Sequence, residues 1–166
     1  MNLYHIAPHH DTPNTVHAVV EIPRGTSAKY EYDPVIEAFR LDRCLSSAMT
    51  YTCNYGFIPS TKAEDDDPLD ILIYNSTPLM RGTLVECGVI GVLDMVDNGE
   101  KDYKILAVPN THVKKYQSVS DIDPMFLKIT KNFFKHYKDL EDKVVEVGDW
   151  LDKQHAIDII TASVQT

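Results

Sequence analysis

The run TLVECGVIGVLDM, Thr83 to Met95, is aliphatic and β-branched, with Gly82 before it and Asp97-Asn98-Gly99 after it. Those features read as a strand entering a turn. VHAVVEI, Val16 to Ile22, has the same character and ends at Pro23 and Gly25, and Lys29-Tyr30-Glu31-Tyr32 resumes as a second strand. Ile71 to Tyr74 and Lys104 to Val108 are further strands bounded by turn formers, so the first two thirds of the chain is mostly β. The period then changes. Phe126, Ile129, Phe133, Tyr137 and Leu140 recur at three and four residues, and Pro124 stands at a first helical position after Asp123, which predicts an amphipathic helix. Ala156, Ile159, Ile160 and Val164 predict a shorter C-terminal helix after a break around Gly148. Strands first and helices last indicate an α+β domain, a small barrel with helices against it.

With 166 residues and 43% hydrophobic side chains, one compact domain is the expectation. The 25 acidic residues outnumber the 16 basic ones, giving a formal charge of −9, so nucleic acid is disfavoured as a main partner. The same acidity suits a protein that gathers divalent cations and lets them attract an anion. The opening MNLYHIAPHHDTPN carries neither a basic leader nor an uninterrupted apolar stretch, and nothing approaches the ~20 apolar residues of a membrane span. A cytoplasmic location is expected. Cys44, Cys53 and Cys87 are odd in number and lack Cys-x-x-Cys spacing, so all three are read as reduced, buried thiols. His5, His9 and His10 are read as members of a solvated terminal loop that also contains Pro8 and Pro13, not as ligands.

The chemistry concentrates in Asp65-Asp66-Asp67-Pro68-Leu69-Asp70, which together with Glu64 makes five acids in seven residues. Such crowding costs several kcal/mol unless cations offset it. A solvated acidic loop is the usual meaning of a charge run. Three features argue otherwise: an extended backbone would project Asp65 and Asp67 to one side, Pro68 forces irregular geometry, and Asp70 opens the apolar strand ILIY. Oxygen ligands alone imply a hard cation, magnesium, manganese or calcium. An EF-hand is excluded, because Leu69 and Asp70 stand where that loop needs an oxygen donor and a glycine. A second acidic group, Asp97-Asn98-Gly99-Glu100-Lys101-Asp102, reads on its own as a β-hairpin turn and beside the first as the other wall of a multi-metal site.

The string Asp65-Asp66-Asp67-Pro68-Leu69-Asp70-Ile71 resembles the D-x-D-P-x-D signature of the family I soluble inorganic pyrophosphatases. The resemblance continues through EIPRGTSAKYEYD (Glu21 to Asp33), LDRCLSSAM (Leu41 to Met49), YTCNYGFIP (Tyr51 to Pro59), Asp97 to Lys104 and HYKDLE (His136 to Glu141). It implies a five-stranded OB-like closed barrel with flanking strands and two main C-terminal helices. It further implies magnesium-dependent hydrolysis of pyrophosphate to two orthophosphates. By resemblance, Asp65, Asp70, Asp97 and Asp102 are metal ligands, Glu21 serves a further cation, and Asp67 is the general base. Lys29, Arg43, Tyr137 and Lys138 hold the phosphates, while Tyr51, Tyr55, Lys104 and Glu31 complete the network. Bacterial members of this length imply a homohexamer, with His136 and its helix as interface elements. Thr52 and Asn98 depart from the family pattern, at positions commonly Pro and commonly acidic. An OB-like binding module for nucleic acid or carbohydrate and a calcium-stabilised structural protein are the rivals. The first wants a basic aromatic face, and the second leaves Lys29, Arg43 and Lys138 without a role.

Overall fold

The computed structural model describes residues 1–165. Its strands are β1 Thr15–Ile22, β2 Ala28–Asp33, β3 Ala38–Cys44, β4 Asn54–Phe57, β5 Asp70–Ile73, β6 Leu84–Asp97, β7 Glu100–Lys101, β8 Lys104–Pro109 and β9 Val145–Leu151. The α-helices are α1 Pro124–His136 and α2 Lys153–Ser163, so the chain is α+β with its helices last. β1 pairs with β4 on one side and β6 on the other. β4 continues to β5, β5 to β8 in parallel, and β8 back to β6. β7 and β9 pair with the far half of β6, and β2 with β3 form a separate ribbon.

The apolar runs are uninterrupted because the sheet is dry on both faces, and neighbouring residues of a strand serve opposite faces. Ile71 and Ile73 pack with Val16, Ala18, Val20, Ile105 and Ala107 beneath Ala156 and Ile160 of α2. Leu72, between them, turns to Leu106, Ile90 and Leu93 beneath Phe133 and Phe134 of α1. Each such side chain contributes about 1.5–3 kcal/mol on burial. Helix α1 begins where the Asp123 carboxylate accepts the Met125 amide at 2.9 Å, with Pro124 at a position that needs no amide hydrogen. The Asp152 carboxylate caps α2 in the same way through the His155 amide at 3.1 Å.

Several sequence expectations are corrected. Gly148 does not break the chain but lies inside β9, where the backbone passes so close that an added Cβ would sit 3.1 Å from the Asp94 carbonyl oxygen. β3 and β4 went unread, the first because it is mostly exposed and three of its seven residues are charged, the second because it is four residues long around Gly56. The buried seam of α1 runs through Thr130, Phe133 and Phe134, leaving Ile129 49% exposed, and the helix ends at His136, so Leu140 is 70% exposed. Cys53 and Cys87 are buried free thiols, whereas Cys44, ending a solvent-facing strand, is exposed. No helix among the described residues is long and apolar enough to cross a membrane.

Candidate active site

Two β-bulges and one tight turn set the polar side chains of a single recess. In β1 the register slips between Val20 and Ile22, so Glu21 is the extra residue and the strand changes face: Val20 belongs to the α2 side and Ile22 to the α1 side. Glu21 is thereby turned inward, where its carboxylate accepts the Tyr32 amide of β2 at 2.8 Å. In the ribbon, Lys29 faces Arg43 and Tyr30 faces Leu41, which leaves Asp42 as the bulged residue. Asp42 then reaches Lys29 at 3.2 Å and Arg43 at 3.1 Å, a pairing that strict alternation along a strand would forbid.

The acidic segment is not extended, as its sequence suggested, but folded into a turn with Asp66 in the left-handed region at φ 69°. The Asp65 carboxylate accepts the Asp67 amide at 3.1 Å, and the Asp67 carbonyl accepts the Ala63 amide at 2.8 Å. Asp65 and Asp67 both line the recess, while Asp66 points to solvent and pairs with Lys62 at 2.7 Å. The Lys101 amide donates to Glu64 at 3.0 Å and ties this turn to the β6–β7 hairpin. That hairpin turns through Asn98 and Gly99 at φ 50° and 85°, the two left-handed positions that Asn-Gly supplies.

At the floor lies Lys104. The parallel register places it beside Asp70, and its ammonium donates to Asp70 at 2.6 Å, to Asp102 at 2.6 Å and to the Tyr55 hydroxyl at 3.1 Å. Its side chain is 3% exposed. Burial works against the charge of Lys104, but Asp70 and Asp102 outweigh it and hold the ammonium protonated far above neutrality. Burial pushes Asp70 up in spite of Lys104, whereas at Asp102 the Lys104 charge overcomes burial and the carboxyl titrates below its usual range. Glu21 is pushed up to about 8, first by burial, against the Tyr32 hydrogen bond. Asp67 is also raised, by partial burial and then by Asp65, Glu31 and Asp66. Burial raises the Tyr51, Tyr55 and Tyr137 hydroxyls, so all three are neutral donors.

Glu21, Lys29, Glu31, Tyr51, Tyr55, Asp65, Asp67, Asp70, Asp97, Asp102, Lys104, Tyr137 and Lys138 all border this recess. Arg43 does not: its Nε lies 2.7 Å from Glu141 without hydrogen-bond alignment, and its Nε and Nη2 are buried without a hydrogen-bond partner among the described residues. The recess also includes Tyr4, Arg40 and Lys143, which sequence reading passed over because none belongs to a clustered motif. Lys138 pairs with Asp97, and Lys29 with Glu31, so protein ammonium groups stand among the carboxylates. Among the described residues, three carboxylates of the recess do not bring oxygens within 4.8 Å of one another; the one trio of donors that close is His9, His17 and Glu86, elsewhere. Thr52, at the position commonly Pro, shares a 2.7 Å hydroxyl hydrogen bond with Thr130 of α1, which anchors the segment carrying Tyr51 and Tyr55.

The family model for inorganic pyrophosphatase matches residues 18–166. An inorganic pyrophosphatase of Brucella melitensis is 42% identical over 171 aligned residues, covering 99% of this chain and 97% of that protein. One from Campylobacter jejuni is 42% identical, covering 93% of each. The crystal structure of the inorganic pyrophosphatase from Thermus thermophilus superposes with a TM-score of 0.94 at 39% identity, covering 98% of this chain and 96% of that one. By sequence over nearly its whole length and by fold, the chain belongs to the inorganic pyrophosphatase family.

Proposed function

We propose that the chain hydrolyses inorganic pyrophosphate to two orthophosphates by direct attack of water, with magnesium as its cation. One observation carries the reading: Glu21, Glu31, Asp65, Asp67, Asp70, Asp97 and Asp102 converge with Lys29, Lys104 and Lys138 on a recess that also holds three neutral tyrosine hydroxyls. The donor set fits a hard divalent cation, because the ligand atoms are carboxylate oxygens and burial, which raises the proton affinity of Glu21 and Asp70, penalises carboxylate charge that a cation would offset. Asp65, Asp70, Asp97 and Asp102 would hold the main cations and Glu21 a further one. Bound there, the cations supply a lowered water pKa and neutralise charge on the phosphates.

The chain's own part is positioning and proton transfer. Asp67, exposed and of raised proton affinity, takes the proton of the attacking water. Lys29, Lys138, Tyr137 and Tyr51 orient the two phosphates, and the unpaired buried donors of Arg43 suit an anion that displaces Glu141. Lys104 and Tyr55 fix Asp70 and Asp102, and Glu31 fixes Lys29. No covalent intermediate is needed, because electrostatic stabilisation suffices for a phosphoryl transfer.

The finer architecture belongs to the same reading. The strand circuit β1–β4–β5–β8–β6 and back to β1 is a closed five-stranded OB-like barrel, and residues 1–166 form one domain. Copies assemble as a homohexamer through surfaces that include helix α1, with its exposed Met125 and Ile129 and with His136 at its C-terminal end. The enzyme acts in the cytoplasm without nucleic acid or membrane. Release of phosphate from pyrophosphate, assayed after chelation and again after magnesium is restored, tests the activity. The reading expects hydrolysis to vanish and return, and hydrolysis indifferent to divalent cations would refute it. Light scattering tests the assembly.

A further inference from the structure

Away from the recess, two histidines of the N-terminal region meet a distant glutamate on the sheet's outer surface. In the antiparallel register of β1 and β6, His17 stands directly opposite Glu86. Cross-strand neighbours on one face have Cβ atoms about 5 Å apart. The N-terminal segment lays His9 on the same spot, its ring packed edge-on against His17 at 5.2 Å between centroids. One donor atom from each of His9, His17 and Glu86 falls within 4.8 Å of the others. Asp11, Thr15, His10 and Asn110 rim the surrounding hollow.

The imidazoles are already oriented. His17 Nδ1 lies 2.9 Å from the Ala7 carbonyl, which can only accept, so Nδ1 carries the hydrogen and Nε2 keeps its lone pair. A ligating histidine is commonly fixed by such a donation to a carbonyl. His9 Nδ1 lies 3.1 Å from the Asp11 amide, which can only donate, so in the neutral ring Nε2 carries the hydrogen. Ligation of His9 through either nitrogen therefore breaks the Asp11 hydrogen bond: through Nδ1 by replacing it, through Nε2 by moving the ring proton to Nδ1.

We propose that His9, His17 and Glu86 form a second metal site, selective for borderline divalent ions such as zinc or cobalt and distinct from the carboxylate recess. Two imidazole nitrogens and one carboxylate oxygen are the ligand set of an open tetrahedral site, with water in the fourth position. Magnesium, which favours all-oxygen octahedra, is not its ion. Ligands about 2.1 Å from zinc stand about 3.4 Å apart, so the trio must contract slightly, and Glu86 is exposed and free to swing toward the two imidazoles. Occupancy would fasten the N-terminal segment to the β1–β6 pair.

The test uses full-length protein saturated with magnesium to fill the recess. Cobalt titration followed by visible absorption is expected to give the bands of a four-coordinate nitrogen-containing site at one ion per chain. Nitrogen NMR with zinc should move the His9 and His17 ring signals and the Asp11 amide together. His17→Ala and Glu86→Gln should each weaken zinc binding at this site by roughly 100-fold or more while leaving magnesium-supported activity unchanged. Glu86→Gln, at an exposed position, keeps the test valid should His17→Ala fail to fold. Zinc binding equal in wild type and Glu86→Gln, or unmoved His9 and His17 signals in the presence of zinc, would overturn the proposal.

Discussion

Replacing Glu21 by Gln isolates the cost of a buried charge in the metal-free protein. Glu21 is 7% exposed, and burial pushes its carboxyl from 4.5 up to about 8. The folded state therefore holds this proton more tightly than the unfolded chain does. Stability from that proton is complete below about pH 4.5 and is lost as pH rises through about 8. Each tenfold change in proton affinity is worth about 1.4 kcal/mol, so the loss is at most roughly 5 kcal/mol. Water entering the recess beside Lys29 reduces this to on the order of 3 kcal/mol. Gln preserves the acceptor for the Tyr32 amide and cannot ionise. Urea unfolding in chelator should find the variant close to wild type at about pH 5 and more stable by on the order of 3 kcal/mol at about pH 8.5. Magnesium should shrink the difference by binding more tightly to the protein that keeps the carboxylate. A variant no more stable than wild type at the higher pH would refute the reasoning, since Glu21 would then carry its charge at no cost.

Lys104→Met leaves Asp70 and Asp102 facing each other without their shared cation, and unfolding in chelator should show a loss of about 3–5 kcal/mol; a change below about 1 kcal/mol would contradict the role given to the ammonium. Gly56→Ala would set a Cβ 1.9 Å from the Val19 carbonyl oxygen on the paired strand. Because backbone, not a flexible side chain, must move, denaturant unfolding should register a loss of about 3 kcal/mol or more. Asp65→Asn should raise the magnesium concentration for half-maximal phosphate release by about tenfold or more, and an unchanged requirement would remove Asp65 from the ligand set.

The main strands were legible because VHAVVEI, ILIY and the Thr83–Met95 run are apolar on both faces, and the Pro124 start of α1 was legible because its cap and period agree. AFRLDRC in β3 was not, since a ribbon held by backbone pairing and charged side chains leaves no apolar period to read. A glycine inside a strand and a glycine that ends one look alike in sequence, which is why Gly148 misled. The motif around Asp65 named the acids, but the turn at Asp66 aims Asp65 and Asp67, the bulge at Glu21 turns that residue inward, and a bulge is a property of two strands together. For the same reason the meeting of His9 and His17 with Glu86 was invisible: it exists only through the register of β1 against β6. Phe126, Ile129 and Phe133 marked a helix correctly, but Leu140 lies beyond its end at His136, and the seam settled on Thr130 and Phe134, which meet the tyrosine segment and the sheet.

In the proposed mechanism Asp67 removes the proton from the water that attacks pyrophosphate. Phosphate release by wild type and Asp67→Asn, each at saturating magnesium and pyrophosphate, tests it directly. A positioned general base contributes about 100- to 10,000-fold, so kcat should fall by that factor while the folded state and the magnesium requirement are retained. A variant that releases phosphate at the wild-type rate would contradict the account.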